Sequence, residues 1–67
     1  MRFEVYATEL KKGNKIIIKS DNNCEIIHKI KCVTHSYYSN GTKILCELCD
    51  GTFVTFYDND RVEIELL

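Results

Sequence analysis

At 67 residues the chain has room for a single domain, 1–67, which buries only about 60% of the surface it exposes when unfolded. Apolar residues make up 45% of it, too many for a disordered chain, and no apolar run is long enough for a membrane span or a signal peptide, so a soluble cytoplasmic protein is expected. The net charge of −1 divides into +3 over residues 1–34 (seven Lys/Arg, four Asp/Glu) and −4 over residues 35–67 (two and six), a balance that argues against a surface dominated by phosphate contacts.

Strand patterns dominate from the first residues. In "RFEVYA", Phe3, Val5 and Ala7 alternate with Arg2, Glu4 and Tyr6, which predicts a half-buried strand with Phe3 and Val5 inward. "TELKKGN" predicts one helical or 3-10 turn started by Thr8 and closed by Gly13. "KIIIKS" predicts a second strand, and the consecutive Ile16, Ile17 and Ile18 suit a strand covered on both sides. "DNN" at 21–23 is a turn.

The longest extended segment runs from Cys24 to Ser39. Its first half places Cys24, Ile26, His28 and Ile30 on one face, whereas in its second half Val33 and Tyr37 belong inside. A regular strand cannot change parity, so a β-bulge with a bend is expected near Lys31–Cys32. His28, flanked by Ile26 and Ile30, reads as a hydrogen-bonded core or seam histidine. Asn40-Gly41 and Asp50-Gly51 then predict two tight hairpins and a meander of strands over roughly 32–39, 42–49 and 52–57. "YDND" makes a short turn, and "RVEIELL" predicts a last strand with Val62, Ile64 and Leu66 inward.

Two-residue loops fix the faces of this meander. Ile44, Cys46 and Leu48 would meet Tyr57, Thr55 and Phe53 on the core side, with Val33 and Tyr37 beside them. The opposite side would then carry Tyr38, Leu45, Val54 and Phe56, an apolar patch that needs a cover, either from within the chain or from a partner.

The same meander holds the pattern Cys32-x2-His35-x10-Cys46-x2-Cys49, a spacing compatible with a Cys3His zinc site. Asn40-Gly41 as the loop sets Cys32 opposite Cys49 and His35 opposite Cys46. Residues three apart on a strand point to opposite faces, so a regular hairpin separates the two pairs and cannot enclose one tetrahedral ion. The preferred reading places Cys46 and His35 in the core and Cys32 and Cys49 as neighbouring free thiols on the outer face, with zinc as an alternative cofactor and none as the main expectation. A Cys32–Cys49 disulfide would need oxidising conditions.

No nucleophile motif, Gly-rich phosphate loop or paired carboxylates support catalysis, and Asp58 and Asp60 read as a solvated turn. Phe, Tyr, Met, Ile, Asn and Lys, favoured by AT-rich codons, supply 28 of the 67 residues, a composition found in phage and mobile-element genes. The order of elements resembles an SH3-like small β-barrel, and "LKKGNKI" is similar to the "LKxGDxI" opening of KOW-like and elongation-factor-P-like N-terminal modules, with Asn14 in place of Asp. The resemblance implies an all-β fold, an SH3-like barrel of five to six antiparallel strands with one short helical or 3-10 turn. It does not extend to the Gly-rich KOW signature, so ribosome or polymerase binding is not implied.

The main functional expectation is a non-enzymatic protein-interaction or inhibitor module acting through Tyr38, Leu45, Val54 and Phe56, with a protein partner or self-association. A nucleic-acid-binding barrel of the transcription or translation type, using Lys11, Lys12, Lys15, Lys29 and Lys31, is the alternative. A small module stabilised by zinc on Cys32, His35, Cys46 and Cys49 is the third reading.

Overall fold

The alternating stretches fold into antiparallel strands, seen in a computed structural model that describes residues 1–66. In chain order these are β1 (Arg2–Tyr6), a 3-10 turn (Ala7–Glu9), β2 (Lys15–Lys19), β3 (Glu25–Tyr38), β4 (Gly41–Leu48), β5 (Phe53–Tyr57) and β6 (Arg61–Glu65). The fold is all-β, in one six-stranded sheet of order β1-β6-β2-β3-β4-β5. The sheet does not close, so β1 and β5 are its edges.

β3 joins the two halves. Its first part pairs with β2, from Lys19↔Glu25 to Lys15↔Lys29, and its second part pairs with β4. The register shifts between Ile30 and Cys32, leaving Lys31 as the extra residue. This is the expected bulge. It lets Ile30 and Val33, an odd number of residues apart, face the same interior. Ile16, Ile30, Ile44 and Cys46 are the most deeply buried side chains, joined by Leu48, Val62 and Ile64. Ala7 and Leu10, at the 3-10 turn, complete this core, and the Ala7 N–H anchors the turn by donating to the Asp60 carbonyl at 2.9 Å. Ile17 is also buried, on the other side of β2 opposite Ile27, as a strand covered on both faces requires.

Several local expectations are corrected. The 3-10 turn starts at Ala7, not Thr8, and no side chain caps it. Gly13 instead belongs to the following turn, where the Asn14 side chain accepts from the Lys11 N–H at 2.8 Å. The first meander loop is Ser39-Asn40, with Tyr38 opposite Gly41, so pairs lie two residues from the expected register. A shift of two preserves faces but changes neighbours: Cys32 meets Glu47 and His35 meets Ile44. Tyr37, expected inside, is 79% exposed beside the loop of the β3–β4 hairpin, and Leu66, beyond the end of β6, is exposed as well. Cys24 and Ile26 are also exposed.

The second loop has the larger consequence. It holds Cys49, Asp50 and Gly51: the Gly51 N–H donates to the Leu48 carbonyl at 3.0 Å and the Leu48 N–H to the Thr52 carbonyl at 2.8 Å. Gly51 has φ of 90°, the left-handed residue that ends a three-residue hairpin loop. One loop residue more than expected shifts β5 by one position and reverses its faces. Val54 and Phe56 therefore pack against the core, while Phe53, Thr55 and Tyr57 point outward.

Two substitutions test this account by urea denaturation. Ile44→Ala, at a site with no exposed surface, is expected to cost about 2–5 kcal/mol. Gly51→Ala, forced into positive φ in open space, is expected to cost about 1–2 kcal/mol.

Candidate functional site

The outer side of the β3–β4–β5 meander carries three exposed rings. Lys43 lies opposite Tyr57, Leu45 opposite Thr55 and Glu47 opposite Phe53, while Tyr38 lies beside Gly41. Tyr38, Phe53 and Tyr57 are 59%, 61% and 57% exposed, and half-buried Leu45 sits between their rows. Of the four residues expected to form one apolar patch, Tyr38 and Leu45 share this face. Val54 and Phe56 face the core instead, because the three-residue loop reversed β5. Phe53 and Tyr57 take their place. The only sequence signal for them was loop length, since Asp-Gly suits both a two-residue and a three-residue turn.

The five lysines of the alternative reading are brought together. Lys15 and Lys29 are directly opposite each other in the β2–β3 ladder. Lys31 is the bulge residue, two positions along β3. The turn bearing Lys11 and Lys12 is bound to the same point of β3: the Gly13 N–H donates to the Ile30 carbonyl at 2.9 Å and the Ile30 N–H to the Asn14 carbonyl at 2.8 Å. All five are exposed. Lys31 lies 3.7 Å from Glu47, and among the described residues the other four have no carboxylate within ion-pair distance. Lys15 and Lys29 each alternate with a buried isoleucine, so they project on the same side of the sheet as Phe53 and Glu47. Like charges directly opposite each other are unfavourable without a counterion.

The ring-bearing face ends in a cleft of about 180 Å³ whose lining includes Tyr38, Asn40, Gly41, Lys43, Tyr57 and Asp58. Gly41 keeps it open, because a Cβ there would come within 3.2 Å of the Asp58 carboxylate. Asp58 is half-buried, with its N–H fixed to the Thr42 carbonyl at 3.1 Å, and its carboxylate has no hydrogen-bond or ion-pair partner among the described residues.

The candidate zinc ligands are not gathered. Cys32 projects outward and Cys46 is fully buried on the inner face. His35 lies opposite Ile44 and is stacked with Tyr37 at 6.3 Å, and Cys49 sits in the β4–β5 loop, its N–H on the Lys29 carbonyl. Among the described residues no three His, Cys, Asp or Glu side chains are grouped to hold a metal ion. Cys32 does not oppose Cys49, and all four cysteines are free thiols. Burial pushes the Cys46 thiol above its ordinary pKa. His28 lies opposite Ile16, half-buried, with Nδ1 3.7 Å from Asp50 Oδ2. The Asp50 carboxyl is held below the usual carboxylate range, first by the Thr52 hydroxyl at 2.6 Å and then by the Thr52 N–H. Asp60 closes its turn by accepting from the Tyr57 N–H at 2.8 Å.

No helix among the described residues is long and apolar enough to cross a membrane. No protein-family model, curated protein or solved structure matches the chain.

Two measurements follow from the thiols and from Asp50. A thiol reagent should label Cys24, Cys32 and Cys49 rapidly in the native protein and Cys46 only on unfolding; four fast sulfurs would contradict the buried position. Because the folded pKa of Asp50 is depressed, its contribution is present above the unfolded carboxylate range and lost as pH falls through the lower folded value. Asp50→Asn should therefore lose stability at neutral pH and show a shallower acid-side decline in urea midpoint.

Proposed function

We propose that the chain is a non-enzymatic binding module that holds a single-stranded nucleic acid along its outer side. The observation that carries this reading is the convergence of Lys11, Lys12, Lys15, Lys29 and Lys31 near the β3 bulge, with Lys15 and Lys29 on the side that bears the exposed rings. Cations would follow the phosphates while Phe53, Tyr57 and Tyr38 offer faces on which bases stack, a combination that tolerates sequence variety. From Lys29 to Tyr38 the strand spans up to about 30 Å, room for several nucleotides. The long bent strand shared between both halves and the 3-10 turn before "KKGNKI" support reading the open sheet as a small SH3-like barrel, though such a fold alone does not fix function.

Docking of a protein partner on the same face is the second reading. Half-buried Leu45 among exposed rings with a polar margin favours it, as protein interfaces have that composition. Salt separates the two, since strands held through phosphates release counterions and a mainly apolar protein contact does not.

The test is fluorescence anisotropy with a short labelled single-stranded oligonucleotide over a salt series. Affinity should fall linearly on a log–log plot. Lys15→Glu with Lys29→Glu should reduce the slope by about 1.4, two phosphates at about 0.7 each. Phe53→Ala should weaken binding by about 1–3 kcal/mol without changing the slope. No binding to RNA or DNA at low salt would overturn the nucleic-acid reading and leave the protein one.

A further inference from the structure

We infer that the cleft between Tyr38 and Tyr57 is a base subsite that selects guanine, an inference that rests on the nucleic-acid reading above. Two aromatic side chains border it, Gly41 keeps it open and its volume of about 180 Å³ takes one planar base and little more. Among its polar lining residues Asp58 is half-buried, and its solvent-reaching carboxylate has no partner among the described residues. An ionised carboxylate only accepts hydrogen bonds, through two oxygens side by side. Guanine is the base whose pairing edge presents two adjacent donors, N1–H and the N2 amino group. Adenine and cytosine each present one donor beside a ring-nitrogen acceptor, and thymine or uracil presents one N–H between two carbonyls, so each sets an acceptor against the carboxylate. In a single strand that edge is free to be read. Lys43, opposite Tyr57 and lining the same cleft, supplies a cation for the adjoining phosphate. One selective position within an otherwise tolerant site is expected.

The experiment compares labelled thymidine strands that carry one central guanine, inosine or adenine, using anisotropy at fixed low salt. The guanine strand should bind about ten-fold or more tightly than the all-thymine strand. Inosine, which keeps N1–H and lacks the amino group, should lose most of that gain, and adenine all of it. Asp58→Asn should abolish the guanine preference without weakening the all-thymine strand. Equal binding of every strand would overturn the subsite and leave the general nucleic-acid reading standing. Failure of all strands to bind would overturn both. A guanine preference that survives in Asp58→Asn would remove Asp58 as the reader. If that variant does not fold, as judged by circular dichroism, the guanine–inosine comparison on the unaltered protein decides.

Discussion

One inserted residue in β3 governs both the core and the proposed binding side. Without Lys31 as a bulge, the alternation that buries Ile30 would turn Val33 outward and Cys32 inward. Its presence lets a 14-residue strand serve both halves of the sheet while every large aliphatic near the bend stays inside. The same insertion leaves the Lys31 side chain outside, where it meets Glu47 and stands two positions from Lys29. Packing and surface charge are therefore set by one local irregularity. Deleting it would exchange inner and outer residues throughout the second half of the molecule.

Loop length does for β5 what the bulge does for β3. The Cys49–Gly51 loop reverses the faces of a strand whose sequence, Phe-Val-Thr-Phe-Tyr, has an apolar residue at nearly every position. Either parity would bury an acceptable pair, Val54 with Phe56 or Phe53 with Tyr57. The chosen parity puts the smaller, purely hydrocarbon pair against Ile44 and Cys46 and leaves the larger rings outside. A hydroxyl-bearing ring such as Tyr57 needs a hydrogen-bond partner when buried, and the observed parity avoids that cost. The rings of the outer face follow from a backbone turn, not from a pattern of polar and apolar residues.

Those two devices explain which parts of the molecule could be read from the chain. The strands, the bulge near Lys31, the inward Ile44, Cys46 and Leu48, and the separation of Cys32 from Cys46 on opposite faces all follow from period-two alternation. Alternation is robust because a slip of one residue would expose an entire apolar row. The orientation of β5 was not legible, because either pair, Val54 with Phe56 or Phe53 with Tyr57, is apolar enough to be buried and the loop chemistry allows two lengths. Tyr37 was misplaced for a different reason: parity directs it inward, but at the hairpin's far end there is no interior left to enter. The five lysines could be named from the chain as an alternative site, but their adjacency was not legible there, because β2, β3 and the turn between Lys11 and Asn14 bring distant positions side by side.

Net charge is a poor guide here because the arginines and lysines are used differently. Arg2 lies 2.9 Å from Glu25, 3.1 Å from Glu65 and 4.0 Å from Glu63, and Arg61 lies 3.5 Å from Glu4 while its guanidinium sits over the Tyr6 ring. Exposed pairs of this kind contribute little to stability. Their larger effect is on the surface field, since each guanidinium holds carboxylates that would otherwise offset nearby ammonium groups. Arg2 engages both Glu63 and Glu65 of β6, the latter the cross-strand neighbour of Lys15. Lys15 and its opposite number Lys29 therefore keep more of their positive field than a total of −1 suggests. A polyanion approaching within a Debye length responds to that local field, not to the sum over the chain.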